Sequence, residues 1–154
     1  MDRRALADPG TAEFQVSNYP FYLVNRLTSR YNSVIEAELR QVGLDIPTWR
    51  VLMVLAQSNP RGVRDLADAC VIPLSTMTRI VQRMTAADLV RSTVSAADAR
   101  ITEVHLTPLG ESKVDEARAA TSPVYRQVIR HVSAKDFDKL IGLLNLLYDN
   151  LSDA

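Results

Sequence analysis

One cysteine, five scattered glycines and two histidines among 154 residues exclude several kinds of chemistry at once. The lone thiol, Cys70, closes no internal disulfide, so stability has to come from packing, and a reducing compartment fits. The glycines supply no phosphate-cradling loop, and neither a His-Glu zinc helix nor a nucleophile elbow is present. No catalytic residue is therefore expected. His105, His131 and Cys70 show no metal-site spacing, so neither a metal nor another cofactor is expected, and both histidines read as structural or solvent-facing. No uncharged apolar run reaches the length of a membrane span. Residues 1–14 alternate charged and small side chains without the apolar centre of a signal peptide. A cytoplasmic protein with no membrane partner is expected.

The chain also lacks net charge, with 18 basic and 18 acidic residues. Proteins that live on DNA usually carry a positive excess, so the total argues mildly against DNA. The distribution argues the other way. Residues 61–100 hold six arginines, at 61, 64, 79, 83, 91 and 100, against aspartates at 65, 68, 88 and 98, with no lysine or glutamate. Arginine's planar fork suits phosphates and guanine edges better than a lysine ammonium does. The plain alternative is a solvated helical face.

The length allows one well-filled core, hence a single-domain protomer. Residues 1–16 read as a flexible N-terminal arm and 17–154 as the protomer. A long helix is predicted from about 18 to 42, with Pro20 in its first turn and Gly43 as its stop. Pro47 opens a second helix, which ends at the Ser-Asn-Pro-Arg-Gly turn of residues 58–62. A short third helix covers Val63–Cys70, and Ile72-Pro73 separates it from a fourth over about 74–87. On the fourth helix Leu74, Met77, Ile80, Val81 and Met84 share one side, while Ser75, Thr76, Arg79, Gln82 and Arg83 share the other. That polar face has no acid, and it carries small hydroxyls at its N-terminal end, as a helix directed into a major groove requires. Residues 89–94 and 101–106 are rich in β-branched side chains and read as a two-stranded wing. Thr107-Pro108 starts a helix to about 131, in which Pro123 predicts a kink or break near Ser122. Ser133 and Asp136 form a capping-box-like start for the last helix. Phe137, Leu140, Ile141, Leu144, Leu147, Tyr148 and Leu151 form one stripe on it, widened by Leu143, with Leu146 on the far side. This is more apolar surface than one small winged domain needs, so a homodimer built from the terminal helices is inferred. A monomer whose terminal helices close on each other is the alternative.

The ordered set Arg64-Asp65-Leu66-Ala67, Leu74 to Met84, Leu89-Val90-Arg91, Asp98-Ala99-Arg100 and Leu106-Thr107-Pro108-Leu109-Gly110 resembles the MarR family of bacterial transcription regulators. The resemblance runs over about residues 18–152. It implies a mainly α fold with a minor β part: a winged helix-turn-helix core of about 47–106, flanked by dimerisation helices at about 18–42 and 108–152. It further implies a homodimer on double-stranded DNA, at a pseudo-palindromic operator, with the two fourth helices in successive major grooves. Ser75, Thr76, Arg79 and Arg83 are then the expected DNA-binding residues, with Thr78 at the margin. The family's minor-groove wing arginine maps to Arg100, and the aspartate that holds its fork maps to Asp98, which otherwise reads as an ordinary turn residue. Two departures stand out. Asp88 replaces the glycine that usually precedes the Leu-Val pair, and the wing-tip positions that often carry a further acid and base are Ser95 and Ala97. Fewer phosphate contacts and a shallower salt dependence are expected from such a wing.

Many members of the family release DNA when a small aromatic or phenolic acid, or a related thioester, binds between the dimerisation helices and the winged core. Tyr22 and Arg26 on the first helix, with Tyr19 and Phe21 nearby, and Trp49 and Arg50 on the second combine aromatic surface with guanidinium. Such a combination suits an anionic aromatic effector. Plain core or dimer packing is the competing account of the same side chains. The function expected overall is a homodimeric repressor released by such an effector. A winged-helix dimer acting as a protein-binding scaffold without DNA binding is one alternative, and a redox sensor through Cys70 is another; for the latter a small core filler is the simpler account.

Overall fold

The computed structural model describes residues 3–152. The chain divides into two compact units, Met1–Thr121 and Ser122–Ala154. In chain order the elements are helices α1 (Arg4–Ala7), α2 (Pro20–Gln41) and α3 (Ile46–Gln57), strand β1 (Arg61–Gly62), helices α4 (Val63–Cys70) and α5 (Leu74–Ala86), strands β2 (Val90–Val94) and β3 (Thr102–Leu106), and helices α6 (Pro108–Val128) and α7 (Ala134–Ser152).

The first sixteen residues, expected as a flexible arm, contain local structure beyond Met1 and Asp2, which lie outside the described residues. Helix α1 is followed by a turn in which Gln15 N donates to Leu6 O at 2.8 Å and Thr11 Oγ1 to Ala5 O at 2.8 Å. A 3-10 turn at Val16–Asn18 then leads into α2, and Phe14 meets Tyr19 edge to face.

Helix α2 starts with Pro20 at its first position, where the missing N–H costs nothing, and Gly43 stops it at φ 73°. Only its C-terminal half reaches the core, through Ile35 and Leu39, whereas Phe21 to Leu27 stand exposed. Asp45 caps α3, accepting from Thr48 N at 2.9 Å, and Val51, Leu52 and Leu55 of that helix are wholly buried. Leu66, Ala67 and Cys70 of α4 and Met77, Ile80, Val81 and Met84 of α5 complete this core. Leu74, grouped with the apolar side of α5 by the wheel, is 38% exposed, because it sits in the first turn beyond the reach of the core.

The sheet is three-stranded and antiparallel, in the order β1-β3-β2. β2 pairs with β3 from Val90↔Leu106 to Val94↔Thr102, and β1, read from sequence only as part of a turn, adds Arg61↔Val104. Asp88 closes the α5 end at φ 57°, so the aspartate does adopt the left-handed conformation.

The Leu-Thr-Pro-Leu-Gly segment joins the wing to α6. Thr107 Oγ1 accepts from Gly110 N at 3.0 Å and donates to Asp88 O, while Thr107 N donates to Leu89 O at 3.1 Å. A Cβ on Gly110 would lie 2.1 Å from Leu89 O, so only glycine permits this approach.

Helix α6 continues through Pro123 to Val128, so of the kink or break expected near Ser122 the break is absent. The preceding turn is held by Thr121 Oγ1 bonding Ala117 O at 2.8 Å. In α7 the Ser133 hydroxyl accepts from Asp136 N at 3.1 Å and donates to the Asp136 carboxylate at 2.6 Å, which provides the expected cap. No residue of α7 is buried. Among the described residues no helix is long and apolar enough to cross a membrane.

Candidate nucleic-acid interface

Burial of Met77, Ile80, Val81 and Met84 fixes the rotation of α5, so its other side is turned out. Ser75, Thr76, Thr78, Arg79, Gln82 and Arg83 are all exposed. No side chain caps the helix start at Pro73, which leaves the first-turn N–H groups available to an anion. Thr78 Oγ1 donates back to Leu74 O at 3.0 Å, so its hydroxyl keeps acceptor capacity only.

The arginines of residues 61–100 fall into two groups. Arg61, Arg83 and Arg100 are each paired with an aspartate: Arg61 Nε with Asp65 at 2.6 Å, Arg83 Nη2 with Asp45 at 2.9 Å and Arg100 Nη2 with Asp98 at 2.9 Å. Arg64, Arg79 and Arg91 are exposed and have no acidic partner among the described residues. The three arginines without an acidic partner thus lie one each on α4, α5 and the first wing strand, and on α4 the exposed Asp68 offsets Arg64. Arg64 is not among the DNA-binding candidates named from the sequence; the signals for it there are its place among the arginines of residues 61–100 and in the Arg64-Asp65-Leu66-Ala67 motif. It lines a groove of about 840 Å³ bounded by α4, α5 and the wing, together with Thr78, Gln82, Ser92, Arg100 and Glu103.

The wing tip is closed by Ser95 N to Ile101 O and Ile101 N to Asp98 O, both 2.9 Å. Asp98 Oδ1 accepts from Arg100 N and Nε at 3.0 Å each, and Oδ2 accepts from Nη2 at 2.9 Å. The pairing expected from the resemblance is therefore present, and the fork is held although the arginine side chain is 90% exposed. The hydrogen bonds from Arg100 hold the Asp98 carboxyl below its ordinary pKa, and the same contact raises that of Arg100. Ser95 turns inward and is buried, with its hydroxyl accepting from Ala97 N at 3.3 Å, so this serine serves the turn. Lower on the strands Thr93 Oγ1 meets His105 Nε2 at 2.8 Å, with Glu103 3.8 Å away.

The effector candidates do not line the groove beside α5. Tyr22 and Arg26 stand on the exposed half of α2, whereas Trp49 and Arg50 are half-buried on α3. Trp49 Nε1 is buried and has no hydrogen-bond partner among the described residues. Burial pushes the Tyr31 hydroxyl up in pKa, with Arg50 partly opposing it. Cys70 is 4% exposed, and burial pushes its thiol up despite the Arg50 and Arg61 charges, the opposite of what a reactive thiolate needs. Among the described residues no group of three or more His, Cys, Asp or Glu could hold a metal ion.

A helix-turn-helix with an exposed acid-free second helix, followed by a wing with an arginine at its tip, defines the DNA-binding winged-helix class. Comparison with known proteins narrows the class. Residues 42–101 match the profile of the MarR family. The chain is 29% identical over 144 residues to the HTH-type transcriptional repressor IacR of Pseudomonas putida, covering 94% of this chain and 86% of that protein. A MarR-family transcriptional regulator from Silicibacter pomeroyi superposes with a TM-score of 0.81 at 26% identity, over 91% of this chain and 94% of the other. Bordetella bronchiseptica BpsR, whose structure addresses regulation of its DNA binding by 6-hydroxynicotinic acid, shares the fold at 20% identity and a TM-score of 0.73, over 83% and 97% of the two chains. The chain is thus similar to the MarR family through its winged core, and the relatives it resembles along most of its length are named as transcriptional regulators.

Proposed function

We propose that this regulator is a homodimeric, cytoplasmic repressor that binds a pseudo-palindromic operator through α5 and the wing. A small aromatic or phenolic acid, or a related thioester, releases it. The observation that carries the reading is the acid-free exposed face of α5 beside an arginine fork that Asp98 holds at the wing tip. Ser75 and Thr76 meet the duplex at the helix N-terminus, with Thr78 at the edge of the contact. Arg79 reads a base edge bidentately, while Arg83, at the far end of the face, is paired with Asp45. Arg100 enters a minor groove, where A·T tracts narrow it, and Asp98 aims it.

The homodimer is supported by two apolar surfaces, each described within its own unit: Phe21 to Leu27 on α2, and the stripe on α7 where Leu140, Ile141, Leu144 and Leu147 are 41–48% exposed. The name of the Pseudomonas putida relative supports repression, and the aromatic acid in the BpsR work supports the effector class. Tyr22, Arg26, Trp49 and Arg50 are the effector-binding residues in this reading, and the unpaired Trp49 Nε1 offers a ligand acceptor a donor. An effector acts only if it binds one spacing of the two α5 helices better than the other.

In vitro selection from a random duplex library tests the DNA reading. An enriched two-fold-symmetric sequence is the expected result. Arg100→Ala should then weaken binding most on A·T-rich flanks, and an equal loss on all flanks would make Arg100 a plain phosphate contact. No enriched sequence would favour the scaffold reading, which the zero net charge suits. A thermal-shift screen with small aromatic acids and their thioesters tests the effector, because a ligand of the native state raises Tm by mass action.

A further inference from the structure

The α2–α3 connection is held by two distant elements. Arg83 of α5 donates through Nη2 to Asp45 Oδ2 at 2.9 Å and to Thr48 Oγ1 at 3.2 Å, across 38 and 35 positions of sequence. The other Asp45 oxygen is already the cap of α3. At the other end of the same connection, Val42 O accepts from Lys113 Nζ of α6 at 2.9 Å, and Glu116 holds that ammonium at 2.8 Å. Between these anchors Gly43 takes the left-handed conformation and Leu44 is 5% exposed, so the connection has little freedom of its own. Residues 42–45 are thus clasped by α5 through Arg83 and by α6 through Lys113.

We propose that the clasp is a positioning device, in which Arg83 sets where α5 sits on the α2–α3 connection and is not itself a contact to bases or phosphates in the complex. The proposal rests on the reading of α5 as the DNA-reading helix. An arginine that left Asp45 for a phosphate would give up two acceptors. It would also leave a bare carboxylate within screening distance of the duplex. The pair is half-exposed, so its contribution to fold stability is small and its value lies in geometry. A cleft of about 410 Å³ beside Arg83, Asp45 and Thr48 leaves room for substitutions there without overpacking.

Asp45→Asn, Arg83→Gln and the double variant test the clasp, because asparagine keeps the α3 cap while removing the charge. Binding is measured by fluorescence anisotropy on the duplex that the wild-type protein enriches from a random library, at several salt concentrations. Each single variant should bind about fivefold more weakly, and the double variant within about twofold of the worse single one, since both remove one link. Arg83→Gln should leave the slope of log affinity against log salt within about 0.3 of wild type. Melting temperatures should stay within about 3 °C. Unchanged or tighter binding by Asp45→Asn would overturn the proposal, as would a slope reduced by about one in Arg83→Gln, since both mark a direct phosphate contact. A fall in Tm of more than about 8 °C in either single variant would make the clasp a stabilising element of the fold, and so overturn it. Failure of the wild-type protein to enrich any duplex is a separate result, seen before any variant is made, and overturns the DNA reading together with the clasp.

Discussion

Helices α5 and α7 both carry an apolar stripe at helical spacing, and their stripes meet different fates. Met77, Ile80, Val81 and Met84 of α5 are buried, and that burial turns the arginines outward. Along α7 the corresponding leucines remain more than two-fifths exposed, and no residue is buried. An apolar stripe reports that a face needs covering without reporting what covers it. For α5 the cover is α3, α4 and the sheet of its own chain. For α7 the proposed cover is a second copy.

The strongest challenge to the covered side of this contrast is Gly110→Ala, which drives a Cβ into the Leu89 carbonyl, a backbone group that cannot step aside. A loss of about 3 kcal/mol or more is expected in urea denaturation. A loss below about 1 kcal/mol would show that α6 can slide away from the root of the wing. On the uncovered side, Leu144→Asp should weaken self-association by about 2 kcal/mol or more in analytical ultracentrifugation, as for an interface hot spot. If α7 is simply solvated, sedimentation will not change. Arg79→Ala, on the outward face that core burial creates, should cost about 1–3 kcal/mol in duplex binding at unchanged Tm. Undiminished affinity in a mobility-shift titration would remove Arg79 from the reading set. The smallest effect concerns Val71, where the winged core itself bares an apolar side chain, 87% exposed and at φ 55°. A β-branched residue is costly in that region, so Val71→Gly should raise stability by about 0.5–1 kcal/mol, measured by thermal unfolding. A decrease would mean that the valine side chain makes contacts worth more than its strain.

Features set by short-range chemistry were legible in the sequence. Helix α4 has its predicted bounds, Gly43 stops α2, and Asp88 takes the left-handed turn in place of glycine. The polar face of α5 followed from a 100° wheel, because the core residues that set its rotation are themselves periodic. Features that depend on distant partners were not legible. Arg83 read as one more outward arginine, and nothing in the local pattern announced Asp45 across 38 residues. β1 is two residues long and is defined only by its pairing with β3. At Pro123 the local rule against proline inside a helix gave way to continuous helix on both sides. The effector candidates lie between these cases: residue type suggested Trp49, but only the fold revealed that its indole N–H is buried without an acceptor.

Thr107 joins three parts of the molecule through its hydroxyl and its backbone amide. Its hydroxyl faces the carbonyl that follows α5 and the first-turn amide of α6, while its own amide reaches the residue before β2. The end of α5, the root of the wing and the first turn of α6 are therefore tied to a single residue. A tilt at the first turn of α6 would reach the end of α5 and the root of the wing together, as through a common hinge pin.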